Sequence, residues 1–174
     1  MLDMKKLLLG AWEVAEVIIV SVASIFIIYG FIAKPYVVEG KSMEPNFHNG
    51  NYLVIVEITY RFRNPERGEV IVFINPNNEA EFYIKRVIGL PGETVSGKDG
   101  VVMVNGQKLD ESYLPAGLKY NGQYSFKLQS DQYFVMGDNR PQSYDSRSWG
   151  PLKRDKIVGE VRLRFWPLNE LATY

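Results

Sequence analysis

Cysteine is absent from this chain of 174 residues, and histidine occurs once, at His48. The first absence removes disulfides, iron–sulfur clusters and thiol nucleophiles. With one histidine besides, the chain lacks the donors that a structural or catalytic zinc site draws on, so neither metal nor cofactor is expected. Net charge is missing too: 20 Lys and Arg balance 20 Asp and Glu. Without a basic excess there is no phosphate-binding surface of the kind that nucleic acid requires. Removing residues 1–35 leaves the balance even, so neither part carries a strong field. Internal repeats and low-complexity linkers are likewise lacking. The chemistry available rests on Ser, Lys, Asp, Glu, Tyr and the backbone.

One long apolar run is present. Val17–Ala33 holds 17 consecutive uncharged residues, and Trp12 and Tyr36 flank it as interfacial aromatics do. At about 1.5 Å per residue it reaches roughly 25 Å, and the apolar stretch extends back to Leu7–Leu9 if Glu13 and Glu16 sit at the interface. A core helix would need a second helix to pack on, and a cleavable signal peptide would need a small-x-small site near Ala33–Glu39, which is not there. A retained membrane anchor over residues 1–35 is therefore expected, with the lipid bilayer as a partner. Lys5 and Lys6 favour a cytoplasmic N-terminus, but Lys34 and Lys41 follow the span, and charge alone gives no firm orientation.

After Pro35 the periodicity becomes that of strands. Tyr52–Glu57, Glu69–Phe73, Tyr83–Ile88, Val101–Val104, Tyr124–Leu128, Tyr133–Met136 and Ile157–Trp166 are short β-branched or aromatic runs. Asn105-Gly106 marks a type I′ hairpin turn. The fold class that follows is mainly β: an N-terminal transmembrane helix, then an antiparallel sheet or partly open barrel over 36–174. Residues from about 94 to 130, rich in Gly, Asn, Ser and Lys, form a small hairpin insert.

Three segments carry candidate chemistry. Gly40-Lys41-Ser42-Met43-Glu44-Pro45 puts a serine nine residues beyond Ala33, within about 30 Å of the membrane even if fully extended. Tyr83-Ile84-Lys85-Arg86-Val87-Ile88 alternates two cations on opposite, largely apolar strand faces, so one of them is pressed against the core. A strand lysine usually snorkels to water, whereas a buried one loses charge and becomes a base near neutrality. With no Cys and one His, a Ser–Lys pair is the most economical nucleophile available. The third segment, Gly137 to Gly150, is dense in Asp, Asn, Ser and Arg; Asp145 and Arg147 flank Ser146 at a spacing suited to a bidentate pair. Its acids are too few and wrongly spaced for an EF-hand.

Ser-Met-Glu-Pro behind an anchor, Lys-Arg-Val-Ile-Gly-Leu-Pro-Gly-Glu, and Gly-Asp-Asn-Arg-x-x-Ser-x-Asp-Ser-Arg-x-x-Gly, in that order with a Phe165-Trp166-Pro167-Leu168 ending, resemble bacterial type I signal peptidases over nearly the whole chain. The short stretch between the second and third motifs resembles the compact single-anchor forms of Gram-positive bacteria. The resemblance implies a serine endopeptidase of the plasma membrane that removes signal peptides from exported preproteins after small-x-small sites. It implies a cytoplasmic N-terminus and an extracytoplasmic catalytic domain. It implies Ser42 as nucleophile, with its amide donating to the oxyanion, and Lys85 as general base. Ser143 would hydrogen-bond the Lys85 amine, Asp145 and Arg147 would hold the loop, and Gly137 would leave room around the lysine. Tyr36, Val38, Met43, Tyr83 and Ile84 would line pockets for substrate side chains. Many relatives carry serine as a second oxyanion donor where this chain has Gly40. Three rival readings are His48 as the base, a self-cleaving repressor-type peptidase, and a tethered binding module without catalysis. The first has Lys85 at the base position, the second lacks a preceding DNA-binding domain, and the third would be expected to lose Ser42 or Lys85.

Overall fold

The computed structural model describes residues 4–27, 33–115, 118 and 122–174. Helix α1 runs Met4–Ile27, and within it Leu8–Phe26 is long and apolar enough to cross a membrane. Its large side chains, from Leu8 to Phe26, are exposed and meet no protein core. The helical span therefore starts earlier than the uncharged run suggested. Of that run, residues 28–32 lie outside the described residues, and Ala33 is already a strand residue.

Among the described residues, twelve strands follow, in two antiparallel sheets. They are β1 (Ala33–Val37), β2 (Tyr52–Val56), β3 (Val70–Ile74), β4 (Phe82–Gly89), β5 (Thr94–Lys98) and β6 (Val101–Val104). The remainder are β7 (Gln107–Lys108), β8 (Gln123–Lys127), β9 (Gln132–Met136), β10 (Leu152–Lys153), β11 (Ile157–Trp166) and β12 (Ala172–Thr173). The main sheet has the order β1-β2-β11-β3-β4-β9-β10, with β12 added to β11. Two short helices, α2 (Thr59–Phe62) and α3 (Ser146–Trp149), cap its connections.

Burial explains the order. Strand β3 reads Val-Ile-Val-Phe-Ile with no polar position, so it needs cover on both faces. Val70 and Val72 face one cluster with Val38, Phe47, Leu53, Ile55 and Val161. Ile71 and Phe73 face another with Val87, Tyr133, Val135 and Leu152. Each such aliphatic or aromatic side chain taken from water contributes about 1.5–3 kcal/mol. Pro35 lies in β1, at the end of the sheet order, where a residue without an N–H is tolerated.

The expected hairpin forms: Asn105 and Gly106 both take positive φ, as a type I′ turn requires, and β6 pairs with β7. It is half of a larger unit, since β5 and β8 complete a four-stranded sheet in the order β7-β6-β5-β8. This sheet packs Val95, Val102 and Val104 onto Ile88, Phe134 and Met136 of the main sheet.

Candidate active site

Strand β4 lies between β3 and β9, and both faces there are covered. Lys85 is consequently only 4% exposed. Its Nζ lies 2.8 Å from Ser42 Oγ and 2.8 Å from the Ile84 carbonyl, donating to both. Burial pushes the amine down to about 8; the charges of Asp145 and Asp138 pull it partly back up, and Arg147 opposes them. A serine hydroxyl and an amine that is neutral slightly above neutrality are thus in direct contact.

Ser42 is carried by a tight turn. Gly40 has a φ of +88°, a conformation open to glycine, and its amide is held by Asn49 Oδ1 at 2.9 Å. Met43 and Phe47 then anchor the turn in the core, with Phe47 N donating to the Met43 carbonyl at 2.9 Å. From the opposite side, Asn139 N donates to the Ser42 carbonyl at 3.0 Å and Asn139 Nδ2 to the Lys41 carbonyl at 3.0 Å. Among the described residues, the Ser42 amide itself donates to no acceptor, which leaves it free for an oxyanion.

The third motif wraps this pair. Asp145 caps α3 and takes a bidentate pair from Arg147, with Nε and Nη2 each at 2.8 Å. The same carboxylate accepts from Gly137 N at 3.0 Å, and Arg147 Nη2 reaches the Arg140 carbonyl at 2.8 Å. A Cβ on Gly137 would collide with Ser143 Oγ, Ser143 Cβ and the Ser42 carbonyl. That glycine therefore makes room for Ser143 and for the Ser42 peptide rather than for the lysine directly. The expected bond from Ser143 to Lys85 is not formed. Ser143 Oγ is buried without a hydrogen-bond partner, while Lys85 donates to Ser42 and Ile84 instead.

A cleft of about 400 Å³ opens beside Ser42 and Lys85. Tyr36, Val38, Gly40, Tyr83 and Ile84 line it, together with Leu53, Val72, Phe82, Gln142 and Tyr144. The Tyr36 and Phe82 rings meet edge to face at 5.7 Å, joining the β1 side to the β4 side. Met43 is not among the lining residues; it is 1% exposed in the core beneath. His48 is in a turn beside Glu44, with no hydrogen bond to Ser42.

Sequence reasoning expected one of Lys85 and Arg86 to be buried, and both are. Arg86 donates from Nε and Nη2 to Asp138 at 2.8 and 2.6 Å, and from Nη1 to the Gly68 carbonyl at 2.7 Å. Asn46 Nδ2 joins Asp138 at 2.8 Å. Arg86, Asp138, Asn46 and Asn139 were not singled out. The signal was the run Gly-Asp-Asn-Arg beside a second cation next to Lys85, but nothing in sequence pairs a given acid with a given base.

Comparison with known proteins gives consistent results. The family described as "Signal peptidase, peptidase S26" matches residues 11–166. The chain is 41% identical to a probable signal peptidase I-2 of Synechocystis, over 92% of this chain and 75% of the relative. It is 38% identical to signal peptidase IB of Staphylococcus aureus, over 96% of this chain and 94% of the other. A crystal structure of a signal peptidase I from Enterococcus faecalis superposes with a TM-score of 0.50 at 33% identity, covering 56% of this chain and 97% of that one.

Proposed function

The chain belongs to the signal peptidase, peptidase S26 family, and from that premise we propose that Ser42 and Lys85 are its nucleophile and general base. It is a serine peptidase that removes signal peptides from preproteins, associated with the membrane through its apolar N-terminal helix. The observation that carries the residue assignment is the 2.8 Å contact between a buried lysine amine and a serine hydroxyl at the floor of an apolar cleft.

The neutral Lys85 amine takes the Ser42 Oγ proton as the oxygen attacks the scissile carbonyl. The Ser42 amide donates to the oxyanion. Collapse of the tetrahedral intermediate breaks the C–N bond, and the Lys85 ammonium returns its proton to the leaving amine. The neutral lysine then deprotonates a water that attacks the acyl ester, releasing the signal peptide's new carboxylate and restoring Ser42. Gly40 offers no side-chain donor, so no second oxyanion contact comes from that position. Asp145 and Arg147 hold the loop that carries Ser143, and Gly137 leaves space for Ser143 and the Ser42 peptide.

The substrate lies extended against the free edge of β1, adding main-chain hydrogen bonds as an extra strand. Tyr36, Val38, Tyr83 and Ile84 leave shallow apolar recesses that admit Ala, Gly or Ser at the small-x-small positions. The helix is inserted with its N-terminus in the cytoplasm and the sheet outside the plasma membrane, where the exported preproteins emerge. The test is cleavage of a preprotein with a small-x-small site. Ser42→Ala and Lys85→Ala each abolish cleavage, and the double variant is no worse than either, because the two act as a unit. Substantial turnover by either single variant overturns the assignment.

A further inference from the structure

We propose that the segment Leu109–Pro115 is a strap that positions the nucleophile, with Tyr113 as its positioning residue. The proposal deepens the Ser–Lys reading and rests on it. The strap leaves the small sheet after β7 and meets the third motif at Arg140. Leu109 and Tyr113 pack against the cluster shared by the two sheets.

Its contacts go to the groups that hold the Ser42 turn. The Tyr113 ring lies under the Arg86 guanidinium, 4.3 Å from centroid to Cζ. Its hydroxyl accepts from Arg140 Nη2 at 3.2 Å, and its carbonyl accepts from Asn46 Nδ2 at 2.9 Å. Two residues earlier, Glu111 Oε1 pairs with Arg140 Nη2 at 2.5 Å, where the arginine side chain is fully buried. One tyrosine thus meets both arginines and the asparagine that surround residues 137–139.

From there the chain of contacts is short. Arg86 and Asn46 fix the Asp138 carboxylate, and Arg140 Nε holds the Gly137 carbonyl at 3.1 Å. The next residue, Asn139, grips the carbonyls of Ser42 and Lys41. If the strap loosens, Arg86 and Arg140 lose a wall, and the Ser42 peptide shifts relative to Lys85. A displacement of that kind costs catalysis rather than binding, since the cleft lining contains no strap residue. It also changes the field on Lys85. The charged groups acting on that amine are Asp145, Asp138 and Arg147, and Asp138 raises it. An Asp138 less well neutralised by Arg86 raises it further.

The experiment is steady-state cleavage of a preprotein peptide by the full-length chain in detergent, as a function of pH, for wild type, Tyr113→Phe, Tyr113→Leu and Glu111→Gln. Tyr113→Phe keeps the ring over Arg86 and stays within about threefold of wild type. Tyr113→Leu lowers kcat by about 10- to 100-fold with KM little changed, and its acidic limb moves up by about half a pH unit. Glu111→Gln, which keeps an acceptor oxygen for the buried Arg140, lowers kcat by about threefold or more while circular dichroism shows the protein still folded, so a misfolded Tyr113→Leu does not leave the idea untested. Wild-type kcat and pH profile in both Tyr113→Leu and Glu111→Gln, or a loss confined to KM, overturns the strap. A wild-type enzyme that cleaves nothing, or a Ser42→Ala variant that still cleaves, overturns the Ser–Lys reading instead.

Discussion

A lysine held at 4% exposure is expensive to keep charged, and Lys85 has two carboxylates near enough to resist its neutralisation. Desolvation wins, and the amine falls from 10.5 to about 8. The sign of the linked stability follows. The unfolded chain holds the proton more tightly, so the burial cost is complete below about pH 8, fades as the pH rises from there, and is gone above 10.5. At about 1.4 kcal/mol per unit the cost approaches roughly 3 kcal/mol. Lys85→Met is therefore inactive yet more stable than wild type at pH 7 by up to about 3 kcal/mol, an advantage that shrinks above pH 8. Denaturant unfolding at pH 7 and pH 10 checks this; equal stability at pH 7 would contradict it. The residue types of the site were readable because so few nucleophiles and bases are present. The partner of Arg86 was not, since strand alternation shows which face a side chain takes and not which loop folds over it. The unbonded Ser143 hydroxyl was hidden for the same reason: motif order cannot resolve which of two acceptors a lysine chooses.

At the scale of elements, strands with β-branched runs were legible from alternation and turn residues, down to the Asn105-Gly106 hairpin. Strand β5, which contains Gly97 and no aromatic residue, was not. It is held by its partners, with Gly97 lying under the Tyr124 ring where a side chain would not fit. The two-residue strands β7, β10 and β12 are set by tertiary pairing and carry no local pattern. Strand β1 has a sharper consequence. Composition suggested a boundary after residue 35, yet Ala33–Val37 pairs in register with Tyr52–Val56. The cut falls inside a strand. We therefore expect a fragment starting at Ala33 to fold and to keep its peptidase activity in detergent. A fragment starting at Val38, which lacks the strand and its cleft wall, loses activity. Circular dichroism and peptide cleavage on the two fragments check this, and full activity in the shorter one would contradict it.

The whole molecule joins an apolar helix to a sheet whose first strand is also one wall of the cleft. Five residues, 28–32, separate the helix from this strand, at most about 20 Å of chain, so a helix set in a bilayer would keep the candidate site near its surface. With the N-terminus cytoplasmic, external protease added to intact spheroplasts should digest the sheet domain and leave a short protected helix; full protection would contradict that orientation. The claim on which the account turns is that a neutral Lys85 activates Ser42. Its most direct test is the pH dependence of kcat/KM for preprotein cleavage by wild type and by Lys85→Arg, since a guanidinium stays protonated at any usable pH. The account predicts a wild-type limb rising through about pH 8, the value set by burial, and no cleavage by Lys85→Arg at any pH. Substantial cleavage by Lys85→Arg, or a wild-type limb near the ordinary lysine value of 10.5, would contradict it.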